Sequence, residues 1–247
     1  MLEKKRTILI TGTSGALGGE LSKYFIEKNC NVIFHYNSHP DKLEGLKNIV
    51  NKFNVESLIL KCNICDEREI EEMFLLIEKE FSTLDVLINN AGIHIDGSLS
   101  KLPLDDWKKV IDVNLTGSFL CSKYAIPLMK KGNFGRIINF SSVVGQRGEF
   151  GTSSYAASKS GLFGLTKSLA REVAKYNITV NTVVLGYFSI GMIEDVPVEM
   201  KQKLLNEIPM KRFGDPKELC SLVHYLSSED ASYITGQTIG INGGYYM

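Results

Sequence analysis

Apolar positions along the chain fall into two alternating rhythms. Short, almost wholly apolar runs recur at Thr7–Thr11 (TILIT), Asn31–Phe34, Ser57–Leu60, Val86–Ile88, Arg136–Phe140, Ile178–Val184 and Thr238–Ile241. A run that is apolar on successive residues, not on every second one, marks a strand covered on both faces. Between these runs lie longer stretches with helical spacing: Leu17–Lys28, Lys42–Phe53, Glu67–Phe81, Asp105–Lys131, Tyr155–Tyr176 and Pro216–Leu226. Strands alternating with helices predict a parallel seven-stranded sheet with helices on both faces, a doubly wound α/β fold. No repeat, low-complexity tract or linker interrupts the pattern, so 1–247 is expected to form a single domain. Ligands on such folds sit at the carboxyl ends of the strands.

Charge narrows the function classes. The chain carries 28 basic and 28 acidic side chains, a formal net charge of zero. A nucleic-acid binder needs a positive field, and the longest basic group here is Lys4-Lys5-Arg6. No uncharged stretch approaches the roughly 18 apolar residues of a membrane span. The first apolar run is too short for a secretory signal and ends in turn residues, so a cytoplasmic location is expected. Five scattered cysteines, an odd number, suit a reducing compartment. The glycosylation triplets at Asn114, Asn139 and Asn177 are then coincidental.

Three segments carry chemistry. After the first strand comes Thr11-Gly12-Thr13-Ser14-Gly15-Ala16-Leu17-Gly18, then a helix. Glycines let such a turn approach a pyrophosphate, and the helix start offers free N–H groups. Alone, it also reads as a tight packing turn. Asp85–Gly92 (DVLINNAG) ends a strand in two amides and two small residues, with Asn89 placed to hydrogen-bond the neighbouring turn. Third, Asn139-Phe140-Ser141-Ser142 leaves a strand, and Tyr155-Ala156-Ala157-Ser158-Lys159 follows. Tyr and Lys four apart share a helix face, so the ammonium can favour the phenolate. The spacing alone is weak, because Tyr24 and Lys28 also have it, without a Ser partner in sequence. What singles out Tyr155 is Ser142 before it and the glycine turn upstream.

Together these residues resemble the short-chain dehydrogenase/reductase family over essentially the whole chain. The resemblance implies a Rossmann fold and a catalytic set of Asn114, Ser142, Tyr155 and Lys159. It also implies cofactor contacts at Gly12, Thr13, Ser14, Ala16, Leu17, Gly18, Tyr36, Asn37, Ser38, Asn63, Ile64, Asn90, Ala91, Gly92, Tyr155, Lys159, Gly186 and Phe188. In that scheme a nicotinamide cofactor supplies hydride to a ketone and Tyr155 donates the proton. Ser142 holds the carbonyl oxygen, Lys159 binds the ribose and stabilises the tyrosinate, and Asn114 holds a water leading to Lys159. The segments GRIINFSSVVG, YAASKSGLFGLTKSLAREVA and ITGQTIGINGGYYM are most similar to 3-oxoacyl-[acyl-carrier-protein] reductases, which implies a homotetramer and a carrier-bound or small ketone substrate. A dehydrogenase of another small alcohol, sugar or cyclic ketone is the alternative, and a cofactor-binding protein without turnover a third.

Other positions refine this. Where the family places Pro-Gly and then a Thr that bonds the carboxamide, this chain has Leu185-Gly186 and Ile190. No carboxylate follows the second strand before Asp41, so NADPH is expected over NADH, with His35 adding positive charge as pH falls. Cys62-Asn63-Ile64-Cys65 has no second pair to complete a zinc site, and no metal is expected. His94 borders the expected substrate pocket. Met192–Ile208 mixes Val198, Leu204, Leu205 and Ile208 with charges, which suggests an amphipathic lid within a substrate loop at about 186–212. Lys130, Lys131 and Lys175 offer an acidic carrier a basic contact.

Overall fold

The computed structural model describes residues 5–247. Residues 1–4, including Lys4 of the basic group, lie outside it, as does the side chain of Met192 at the start of the suggested lid. Seven strands form one parallel sheet: β1 (Thr7–Ile10), β2 (Asn31–Tyr36), β3 (Ser57–Lys61), β4 (Val86–Asn89), β5 (Gly135–Ser142), β6 (Ile178–Leu185) and β7 (Thr238–Ile241). Their order is β3-β2-β1-β4-β5-β6-β7, so the winding reverses between β1 and β4. A cleft opens at the carboxyl ends of the strands where the order reverses. The expected fold is present.

Strand residues alternate between two cores. Leu9, Ile33, Leu87, Ile137 and Val180 face one side, and Ile8, Ile10, Val32, Phe34, Val86, Ile88 and Ile138 the other. The first side is closed by α3 (Glu67–Phe81), α5 (Gly117–Gly132) and α7 (Ser153–Val173). The second is closed by α1 (Ala16–Glu27), α2 (Glu44–Val50) and α9 (Pro216–Leu226). Each buried Leu, Ile or Phe contributes about 1.5–3 kcal/mol. Double coverage explains why the strands read as continuous apolar runs.

The single helix expected over Asp105–Lys131 is two. Helix α4 (Leu104–Ile111) passes through a π turn at Asp112–Thr116 into α5. The inserted residue accompanies two tight fits. Asn114 is fully buried, and a Cβ on Gly117 would lie 2.8 Å from the Ile64 side chain. Two short helices, α6 (Val143–Arg147) and α8 (Val198–Glu207), complete the set, the second inside the segment expected to form a lid. Of the three glycosylation triplets, Asn114 and Asn139 are wholly buried.

Candidate active site

The glycine turn sits where β1 meets α1. Gly12 adopts φ +70°, the left-handed region, and its N–H donates to His35 Nδ1 at 3.0 Å. Thr13 is buried, with both its N–H and its hydroxyl donating to the His35 carbonyl at 2.9 and 2.8 Å. A Cβ on Gly18 would lie 2.4 Å from the Gly12 carbonyl oxygen, so only glycine lets α1 start against the turn. Among the described residues no side chain caps that start. The turn is held by Asn90, not by Asn89 as the sequence suggested. Asn90 Nδ2 donates to the Thr11 and Gly12 carbonyls at 2.7 and 3.2 Å. Asn89, one residue earlier and inside β4, points into the sheet and donates to Asn139 Oδ1 at 2.8 Å. Alternation along the strand separates the two amides.

Above this turn runs a cleft of about 800 Å³. Gly12, Ser14, Ala16, Leu17 and Gly18 line it, followed by Asn37 and Ser38 after β2 and Asn63 and Ile64 after β3. Asn90, Ala91 and Gly92 form its floor, and Ser142, Tyr155, Lys159, Gly186 and Phe188 its far end. Three expected contacts are not on the wall. Thr13 is turned inward to His35, Tyr36 packs against the core closed by α1 and α2, and Asn114 lies buried behind Gly92. His35 is only 2% exposed and burial holds its pKa below the ordinary imidazole value, so it adds no charge toward a phosphate. The volume, the glycine cradle that a Cβ would fill and the uncapped helix start together fit a dinucleotide.

At the far end Ser142 closes β5 and caps α6, its hydroxyl accepting from the Val144 N–H at 3.2 Å. Tyr155 lies in the first turn of α7. Burial pushes its pKa up, opposed by a hydrogen bond with Ser142. Lys159 is 5% exposed and has no carboxylate partner among the described residues; desolvation lowers its pKa to about 8. Its Nζ donates to the Phe140 carbonyl at 2.7 Å and lies 5.7 Å from the centre of the Tyr155 ring. The lowering of the Tyr155 pKa expected from the ammonium is therefore absent: burial dominates, and the opposing bond comes from Ser142. Asn114 uses its side chain on backbone, Oδ1 accepting from Ile93 N–H at 2.8 Å and Nδ2 donating to Ile93 O at 2.9 Å and Ser158 Oγ at 3.0 Å. A Cβ on Gly92 would meet both Asn114 Oδ1 and Lys159 Nζ within 3.4 Å.

A family model described as enoyl-(acyl carrier protein) reductase matches residues 12–246. The 3-oxoacyl-[acyl-carrier-protein] reductase FabG of Staphylococcus aureus is 39% identical over 246 residues, all of both chains. The enzyme of the same name from Rickettsia conorii is 40% identical over 98% of this chain and 97% of its own. That from Aquifex aeolicus is 38% identical over 96% of each. The chain belongs to the short-chain dehydrogenase/reductase family. The model's description and the relatives' names differ in the bond reduced, C=C against C=O. The relatives match over full length and agree with one another.

The wall of this dehydrogenase/reductase holds residues that the sequence pointed to and others that it did not. His94 does border the cleft, its ring 6.3 Å from that of Tyr155 and nearly perpendicular to it. Glu149, Thr152, Tyr187, Gly191, Ile193 and Val196 also line it, from loops whose course no periodicity reveals. Ile190, at the place of the family's Thr, is not on the wall; Phe188 and Gly191 are. Tyr24 has a Ser after all, its hydroxyl 3.4 Å from Ser221 Oγ on α9, but it lies away from the cleft. Cys62 is buried, Cys65 exposed, and both are free. Among the described residues no His, Cys, Asp and Glu cluster could hold a metal. Lys130 and Lys175 flank the Tyr176 ring at the far ends of α5 and α7. That is the opposite end of the strands from this chain's cleft, roughly 24 Å of helix away.

Proposed function

We propose that the chain reduces a 3-oxoacyl thioester on an acyl-carrier protein to the 3-hydroxy form, using NADPH. The observation that carries this is the convergence of Ser142, Tyr155 and a buried Lys159 on one wall at the end of a dinucleotide-sized cleft. The full-length relatives named for that reaction support the substrate.

A bound nicotinamide would supply hydride to the ketone carbon. The glycine turn, with the start of α1, would hold the pyrophosphate through backbone N–H groups, and Asn37 and Ser38 would meet the adenosine ribose. Asn63 and Ile64 would border the adenine, and Gly186 and Phe188 the nicotinamide. Ser142 donates a hydrogen bond to the ketone oxygen and fixes it beside Tyr155. Tyr155 gives its proton to that oxygen as negative charge develops there. Its raised pKa suits a donor that stays protonated until then. Lys159 steadies the tyrosinate left behind and turns from Phe140 O toward the ribose hydroxyls. Asn114 fastens residue 93 and Ser158, and so sets the wall against which Lys159 moves; with both amide hydrogens engaged, only Oδ1 is left to hold a water.

Residues at about 186–212 form the lid: Ile193 and Val196 line the cleft, while Val198 on α8 is 80% exposed. Among the described residues no helix is long and apolar enough to cross a membrane, which supports a cytoplasmic enzyme. Exposed Leu104 and Phe119 on α4 and α5 support burial of that face in a homotetramer. A turnover assay with a short 3-oxoacyl thioester and a panel of cyclic ketones, each with NADPH and NADH, tests the reading. Preferred turnover of the thioester is expected; cyclic ketones turned over alone would move the protein to the alternative.

A further inference from the structure

We infer that His35 is a positioning residue which ties the pyrophosphate turn to the adenine side of the cleft and makes dinucleotide affinity fall on acidification. The inference rests on the cofactor reading above. His35 lies 2% exposed at the end of β2, under the cleft; its ring is used at two points and its backbone carbonyl at a third. Its Nδ1 accepts from Gly12 N–H at 3.0 Å, so the ring proton sits on Nε2, which donates to the Cys62 carbonyl at 2.9 Å. Its own carbonyl accepts from Thr13 twice. Gly12 opens the turn, and Cys62 immediately precedes Asn63 and Ile64. One ring thus spaces the two loops that must grip opposite parts of one ligand.

This geometry works only for the neutral ring. Protonation turns Nδ1 from acceptor to donor and sets it against Gly12 N–H, at a residue already held in the left-handed region. It also places a charge where water cannot reach it. The titratable groups on the elements around the ring offer no compensation. Cys62 is held protonated, its pKa pushed up to about 12, and the Cys121 thiol on α5 is pushed higher still. The Cys65 thiol is likewise raised. Asp66 caps α3 by accepting from the Arg68 and Glu69 N–H groups, and Glu69 accepts from Asn63 N–H. His39, further along the loop after β2, lines the cleft. Among the described residues the ring's bonds run to backbone only, the Gly12 N–H and the Cys62 carbonyl, and none of these titratable side chains bonds to it.

Calorimetric titration of the whole protein with NADP⁺ from about pH 8 to about pH 5 tests this. His35→Asn keeps an acceptor near Nδ1 but does not titrate. His35→Gln keeps a donor near Nε2 and loses the acceptor. The wild-type Kd is expected to rise about tenfold per pH unit below the imidazole pKa of the free protein. His35→Asn should lack that step, and His35→Gln should bind roughly five- to tenfold more weakly at every pH. Titrations of the 2′-phosphate and of groups other than His35 are common to both chains and cancel in the ratio of wild type to His35→Asn. A constant ratio, or wild-type binding that tightens on acidification relative to the variant, overturns the inference; the latter would mean that attraction of the buried charge for the pyrophosphate wins. Should the variants not fold, the His35 ring signal in labelled wild type decides: by reciprocity saturating NADP⁺ must lower its pKa, and an unchanged titration overturns the inference. No NADP⁺ binding by wild type at pH 8 would instead sink the cofactor reading itself.

Discussion

At the scale of single residues the site sets reactivity against stability. Lys159 is a cation in a dry place, and burial lowers its pKa to about 8 from an ordinary value of 10.5. A base whose folded pKa lies below its unfolded one binds more protons unfolded, so stability rises with pH between those values. Below pH 8 the penalty is fully present; near pH 10.5 it is gone. Lys159→Met should therefore stabilise the free protein at pH 7 by about 2 kcal/mol: the lowered pKa represents roughly 3 kcal/mol, and one lost hydrogen bond takes back about 1 kcal/mol. That gain should fade as pH rises toward 10, while activity is lost throughout. Melting curves at both pH values check it, and a variant less stable than wild type at pH 7 refutes the desolvation account. Tyr155→Phe removes the proton donor and leaves the cleft wall in place. It should lower kcat by about 10²–10⁴-fold or more with NADPH affinity nearly unchanged, whereas Tyr24→Phe should do neither. Equal losses in the two would remove the case for Tyr155.

At the scale of elements, backbone fit decides what each residue can do. The Gly18 Cβ position lies 2.4 Å from Gly12 O and 2.9 Å from Asn90 Nδ2. The first neighbour is backbone and cannot swing aside, so Gly18→Ala should cost about 1–3 kcal/mol and weaken NADPH binding as well. Melting and cofactor titration of the one variant read both effects; unchanged binding would show that the turn does not hold the pyrophosphate. This turn was legible in the sequence because its glycines follow an apolar run and precede a helix. The strands were legible too, since a sheet covered on both faces leaves continuous apolar runs. The π turn at Asp112–Thr116 was not, because one inserted residue leaves the helical spacing on either side intact. Nor did sequence separate Asn89 from Asn90. Adjacent amides face opposite ways, and only the register of β4 decides which one meets Thr11. His35 reads in the sequence as a group that gains charge as pH falls, because the apolar run ends at Phe34; the structure carries β2 on to Tyr36 and buries the ring under the cleft.

At the scale of the whole molecule, cofactor choice becomes a stability difference. The adenosine end of the cleft is lined by Asn37, Ser38 and His39, with no carboxylate among them. Tyr36, the last residue of β2, is partly buried and packs against the core. Repulsion of a 2′-phosphate is absent, and so is an Arg to attract it strongly, since His35 is buried and neutral. A modest preference for NADPH follows. A ligand at 100 times its Kd stabilises the folded chain by about 2.7 kcal/mol, which for a domain of this size raises Tm by roughly 5–10 °C. A tenfold weaker ligand at the same concentration gives up about 1.4 kcal/mol of that, or roughly 3–5 °C. NADPH should therefore raise Tm more than NADH by up to this margin. Asn37→Asp brings a carboxylate into the same end of the cleft with little change of shape, accepting from ribose hydroxyls and repelling phosphate. It should invert the order of the two shifts. If NADH stabilises the unaltered chain more, then a contact absent from this end of the cleft sets the preference.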